Sequence, residues 1–445
     1  MTSSLQQSAT PVVDTSSRAR VRATVLATLG NVLEWYDFTV YGFLAVYIAA
    51  NFFPGEDPIA ALLSAFGVFA VGFIARPLGA LVLGPLVDRK GRKSVMLLSM
   101  LMMAGGSLLV GIAPSYVTFG AFGAFVIIFG RLLQGFSAGG EFGSSAVFLV
   151  EWANPKRRGF FGSFHQVATY GGLLVGVVFV AALTAILGPE TMAAWGWRIP
   201  FLLGSALAIV VLVLRRRVQE TPVFSEVKED EAEAAASGTA SAPVSTSQEL
   251  GAVAGFFLTI GVVALWAVTS MVTINYMPTF TANFAGIAPQ EALWATCIGC
   301  LVAVVLIPLA GHLSDRFGRK PFIIGAAIGY IVLAYPMFWM IVEGRAFGFV
   351  VLAQVIFAFP TAAIAGTGSS TISELFATKR RGSLVSIGSA ISVTVFGGFG
   401  ALICTLLITS TGIPTAPAFY VIGVAVITLI AGIALPNLAK RELRR

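Results

Sequence analysis

Five ionisable residues stand inside long apolar runs of this sequence. Glu34 and Asp37 lie in GNVLEWYDFTVYGF, Arg76 in FIARPLG, and Arg131 and Glu141 in GRLLQGFSAGGEFG. Acids and guanidinium groups that share a low-dielectric interior have two uses. They close permanent ion pairs that staple a scaffold, or they exchange partners. A carboxylate beside a guanidinium keeps its charge, and accepts a proton once the guanidinium is drawn to another anion. Arg76 suits a substrate carboxylate, because a guanidinium grips one through two parallel hydrogen bonds. Its competing use is as a packing partner for Glu34 or Asp37. Glu141 offers a second place for a proton; it lies about 15 Å along a helix from Arg131, too far to pair with it there. His165, in SFHQVATYGG, is either a hydrogen-bonded wall residue or a proton relay. With Gln166 and Tyr170 it could meet a polar solute, as could Tyr41 near Asp37 and Gln134 near Arg131. Asn275 and Tyr276, followed by Pro278, suggest a bent segment facing the same space.

Positioning such residues calls for a membrane scaffold. Of 445 residues, 57% are hydrophobic and 11% charged, and the mean hydropathy is +0.88. A soluble domain carries about 25% charged residues. Roughly twelve apolar runs reach the ~20 residues that cross a bilayer. Each must be helical, because lipid offers backbone amides no partner. The net charge of +7 does not indicate nucleic acid, because the Lys and Arg gather at the termini and in every second loop. The alternate loops, near Pro54, Pro114, Gly188, Gly286, Gly344 and Gly412, are almost bare of positive charge. By the positive-inside rule both termini are cytoplasmic, which requires an even number of spans. The expected layout is a cytoplasmic tail at 1–22, a six-helix bundle at 23–216, a polar linker at 217–249, a second bundle at 250–436 and a tail at 437–445. Asp37 then lies about 21 Å into its span, beyond the midplane of a ~30 Å core. Metal-ligand and Ser-His-Asp groupings are not apparent, so an enzyme is not expected.

The two bundles are copies of one unit. GPLVDRKGRK at Gly84–Lys93 recurs as GHLSDRFGRK at Gly311–Lys320, and EWANPKRRG from Glu151 recurs as ELFATKRRG from Glu374. Duplication in one orientation outranks other evidence about architecture. The charged hairpins must lie outside the bilayer, where an ion at the centre costs roughly 2.5–3.5 kcal/mol or more. Asp88 precedes span 3 and can face the positive end of that helix. Arg89 and Arg92 can bridge to acids at neighbouring span ends, and Asp315, Arg316 and Arg319 are their counterparts. Glu151 and Glu374 stand beside basic clusters at span ends. All are candidate gate contacts; the competing reading is that the hairpins only set topology.

Two six-span halves, each with G-x-x-x-D-R-x-G-R-K between its second and third span, resemble the major facilitator superfamily of secondary transporters. With WGWRIP and QETPVF, the strings around Asp37, Arg76 and Arg131 look like its metabolite:proton symporter branch. The resemblance implies an all-α membrane protein of twelve transmembrane helices in two pseudo-symmetric six-helix bundles, working by alternating access. It implies Asp37 as proton carrier and Arg131 as its partner; Glu34 and Glu141, as deep acids, are further proton-coupling candidates. No cofactor is implied; the coupling ion is the proton. The deep arginines favour an anion, so the expected function is proton-coupled import of a small organic acid, a di- or tricarboxylate-like metabolite. The alternative is a zwitterion such as proline or betaine, or a shikimate-like monocarboxylate. Drug efflux is disfavoured, because span 5 reads TYGGLLVGVV without a Gly-Pro pair. The expected setting is a bacterial cytoplasmic membrane. The expected partners are a small organic anion and the lipid bilayer, not nucleic acid, and the expected working unit is a monomer.

Overall fold

The computed structural model describes residues 17–53, 58–216 and 246–436, nearly all of them helical. The terminal tails beyond these bounds and linker residues 217–245 lie outside the described residues. In the first half, span 1 is Ser17–Phe43, continued after a turn at Leu44 by Ala45–Phe52. Spans 2 to 6 are Pro58–Lys90, Arg92–Ile112, Ala121–Trp152, Arg158–Ala194 and Ile199–Arg215. In the second half, span 7 is Thr246–Ser270, a π-helical stretch Met271–Tyr276, then Met277–Phe284. Spans 8, 9 and 10 are Pro289–Phe317, Lys320–Gly344 and Phe347–Glu374. Span 11 is Thr378–Ser392, a π-helical stretch Val393–Gly398, then Gly400–Thr411; span 12 is Pro417–Ala434. Eleven helices among the described residues are long and apolar enough to cross a membrane. Span 1 is as long but more polar, because it carries Asn31, Glu34 and Asp37.

Local chemistry explains the breaks. Pro289 and Pro417 open their helices, where a missing N–H costs nothing. The glycine of each repeated hairpin, Gly91 and Gly318, has φ 91°, a backbone conformation that side chains exclude. That is why the motif needs glycine there. Near the expected bend, the π-helical stretch ends at Tyr276 and Pro278 is the second residue of the segment that follows.

Within the halves span 2 packs on span 4 and span 8 on span 10; between them span 5 packs on span 8 and span 11 on span 2. Spans 2 and 4 approach so closely that a Cβ on Gly79 would lie 1.9 Å from the carbonyl oxygen of Phe136. Helix begins at Ser17, inside the expected 1–22 tail. Arg215 is the last residue of span 6 and is 1% exposed. Gly30 makes this possible, since any Cβ there would fall 2.1 Å from the Arg215 guanidinium.

Candidate functional site

The deep charges of the first half form three layers between spans 1, 2, 3, 4 and 6. In the first, Asp37 accepts hydrogen bonds from Ser107 Oγ and, at 3.4 Å, from Gln134 Nε2. Gln134 Oε1 accepts from Arg131 Nη1 at 2.9 Å. Asp37 and Arg131 are therefore joined through the Gln134 amide and not directly, as the expected partnership would have it. Gln134 lies one helical turn from Arg131, so its amide reaches both groups. Arg131 lies over the rings of Phe38, Tyr41 and Phe69 at 4.5, 4.5 and 5.3 Å. Its Nε and Nη2 meet no acceptor among the described residues.

In the second layer Arg76 pairs with Glu34 at 3.3 Å and stacks on Phe38, Phe73 and Trp35. Of the two readings of Arg76, the packing partner of Glu34 describes this geometry. In the third layer Glu141 pairs with Arg215 at 2.8 Å, and Arg215 also donates to the Leu26 carbonyl at 3.0 Å. Burying so many ions is costly unless each is paired and hydrogen-bonded; the second and third layers supply direct pairs and the first a hydrogen-bonded bridge. Among the described residues the second half places no acid or base at this depth.

Most of the other candidates lie near the seam between halves. His165 packs edge-on against Phe142 with ring centroids 4.6 Å apart, and its Nδ1 faces Gln166 Nε2 at 3.1 Å. Tyr170 shares a hydrogen bond with Thr269 of span 7 at 3.1 Å. Tyr41 donates its hydroxyl to the Ala65 carbonyl. Asn275 and Tyr276 line a narrow gap of about 20 Å³ with Gly42, Phe66, Phe69 and Gly398. Tyr276 turns its hydroxyl to Thr405 at 2.9 Å. Gly42, Phe66 and Thr279 also line a vestibule of about 490 Å³ that reaches Tyr47, Thr184, Asn283 and Gln290, at the end of the bundle bare of positive charge.

The opposite, basic end is closed by contacts between halves. Asp88 accepts from the Gly382 and Ser383 amides at the start of span 11, at 3.1 and 3.0 Å. Asp315 accepts from the Gly159 and Phe160 amides at the start of span 5, at 2.8 and 3.0 Å. Asp88 thus reaches a helix of the other half, and Gly91 turns the chain before span 3 begins. Arg381 pairs with Glu151 across the halves at 2.9 Å, fully buried. Arg319 binds Asp315 at 2.9 Å and Glu374 at 3.2 Å. Arg89 and Arg316 are exposed. The side chain of Arg92 lies outside the described residues.

Residues 23–445 match the family described as sugar (and other) transporter. The chain belongs to the major facilitator superfamily. It is a multi-pass membrane transporter, not an enzyme. This transporter is 32% identical to the proline/betaine transporter of Salmonella typhimurium, over 95% of this chain and 85% of that protein. It is 35% identical to the ectoine/proline transporter of Corynebacterium glutamicum, over 94% and 83%. It is 32% identical to the citrate-proton symporter of Klebsiella pneumoniae, over 94% and 92%. Its fold is that of the proton:xylose symporter XylE bound to 6-bromo-6-deoxy-D-glucose, with a TM-score of 0.81 at 20% identity, over 96% of this chain and 98% of that one.

Sequence reasoning missed Ser107, Arg215, Phe66 and Phe69. Arg215 was legible only as the first of three consecutive arginines, and the cleft that receives it is visible in Gly30 alone. Ser107 follows Gly105 and Gly106, whose lack of side chains was the available sign of close packing around span 3.

Proposed function

We propose that the transporter is a proton-coupled symporter of a small solute with one carboxylate and no net charge, of the proline or betaine type. The carrying observation is the charge balance of the three layers. Glu34, Asp37 and Glu141 are matched by Arg76, Arg131 and Arg215. A proton on Asp37 leaves one uncompensated guanidinium, that of Arg131, which already has donors to spare. One carboxylate answers one such charge. The solute's own cation then meets the faces of Phe66, Phe69 and Tyr276, where cation–π attraction contributes about 0.5–2 kcal/mol. Di- and tricarboxylates would bring further charges that the neutral second half does not answer. The relatives named for proline, betaine and ectoine support the same choice.

By the positive-inside rule the basic end is cytoplasmic. The vestibule then faces outward, and the two aspartate contacts are the cytoplasmic gate, with Glu151–Arg381 and Arg319–Glu374 behind them. Loading proton and solute lets the halves rock about this seam.

The test is uptake into liposomes containing the purified protein. A zwitterion moving with one proton carries one positive charge inward, so an inside-negative potential drives it by about 2.3 kcal/mol per 100 mV. A monocarboxylate moving with one proton carries none. Potential-driven betaine or proline uptake supports the proposal; its absence, with citrate uptake present, overturns it. The second reading, an organic acid, is favoured by the citrate-proton symporter among the relatives.

A further inference from the structure

Between the second and third layers lies a cavity of about 10 Å³, lined by Gly30, Glu34, Ser99, Met100, Met103, Ser137 and Glu141. That is about the space one water needs, provided two to four polar partners surround it. Four are present. Ser99, 1% exposed, has a hydroxyl that meets no partner among the described residues, and the same holds for Glu34 Oε2. The Ser137 hydroxyl donates to the Ser99 carbonyl at 2.5 Å. Glu141 closes the cavity on the cytoplasmic side, tied to Arg215.

The order along the membrane normal is informative. Span 1 runs from the cytoplasm outward, so Glu34 lies one turn inward of Asp37 on the same face. Span 4 runs the other way, so Glu141 lies about 15 Å inward of Arg131. Asp37, Glu34 and Glu141 descend in that order to Arg215, beside exposed Arg216 at the cytoplasmic end of span 6. The solute gap at Phe69 and Asn275 lies on the seam between halves, whereas this cavity is lined only by spans 1, 3 and 4 of the first half.

We infer that the cavity holds a water that passes the proton from Glu34 to Glu141, giving the proton a route to the cytoplasm separate from the solute's. This rests on the reading of Asp37 as the group that loads the proton. In the step, Asp37 gives its proton to the Glu34 carboxylate. The water then takes that proton and delivers one of its own to Glu141, so it is restored. Asp37 and Glu34 end ionised. Arg76 faces Glu34 and Arg215 faces Glu141, so each acid that carries the proton in turn stands beside a guanidinium.

The experiment separates proton movement from solute movement in liposomes loaded with a pH-sensitive dye. Solute-induced proton uptake and counterflow of labelled betaine and proline are measured on one preparation. Ser99→Val fills the cavity without touching a charge, and should lower the ratio of proton uptake to counterflow at least tenfold. The double variant Glu141→Gln with Arg215→Met removes the third layer without stranding an ion, and should do the same. An unchanged ratio in both variants overturns the inference. Wild-type counterflow without proton uptake would instead overturn the underlying symport reading, and is seen before any variant is made.

Discussion

Asp88 and Asp315 hold the halves together by one contact used twice. Each ends the second helix of its own half and accepts two amide hydrogens at the start of a helix in the other. A carboxylate at a helix N-terminus gains up to about 2 kcal/mol from the helix dipole. Asp88→Asn keeps the shape and removes the charge. Each such variant should raise the population open at the cytoplasmic end by about 5- to 30-fold, and the two should add. Alkylation of a cysteine placed by Ser386→Cys reports it, because Ser386 is buried against Gly143 between the halves. If Asp88→Asn alters insertion while the alkylation rate stays at the parent value, the hairpins only set topology.

The Glu151–Arg381 pair makes a different prediction. Both side chains are fully buried at 2.9 Å. Removing one partner from such a pair leaves an uncompensated charge and costs about 3–5 kcal/mol, whereas replacing both with apolar groups is often neutral. Arg381→Met alone should therefore lower the melting temperature of purified protein well below that of Arg381→Met with Glu151→Leu. The pair also bridges the halves, so the double variant should open more readily at the cytoplasmic end. Equal melting temperatures for single and double variants would show that the pair contributes no more than its separate parts.

The sequence carried the architecture because lipid leaves few choices: apolar runs must be helices, and basic clusters must share a side. It also carried the duplication, since hairpin residues repeat in identity as well as spacing. The contact Asp88 makes across the halves was not legible for a physical reason. Sequence neighbours suggest local capping, while Gly382, which donates to Asp88, lies almost 300 residues away. The layers were half legible. Five of their charges stood out against apolar surroundings, yet the choice of partners depends on helix rotation, which a uniformly apolar helix does not display. Arg215 was hidden among surface arginines for the same reason.

Gln134 is the joint between Asp37 and Arg131, and its loss should uncouple them. Gln134→Leu leaves a buried carboxylate and a buried guanidinium each short of a hydrogen bond, a cost of about 1–3 kcal/mol apiece. Proton-driven accumulation of solute should fall about 5- to 100-fold, and Asp37→Asn should abolish it. Ser107→Ala removes a second donor to Asp37 and should weaken accumulation in the same direction. Steady accumulation in Gln134→Leu at the parent level would detach Gln134 from coupling and leave it a packing residue.

Arg131 and Arg76 divide the work of the deep cations, and lysine substitution tells them apart. Arg131 is joined to its acid only through Gln134 and shares Phe69 with the gap between halves. Arg76 is engaged by Glu34 and stacked on three rings. Lysine keeps the charge but loses the planar fork and most of the stacking. Arg131→Lys should therefore raise the half-saturating solute concentration by tenfold or more in counterflow. Arg76→Lys should leave that concentration within about threefold and lower thermal stability by about 1–3 kcal/mol, through its weakened pairing. The reverse pattern, with affinity lost at Arg76 and kept at Arg131, would move the carboxylate site one layer inward and make Glu34 the acid that exchanges partners with the solute.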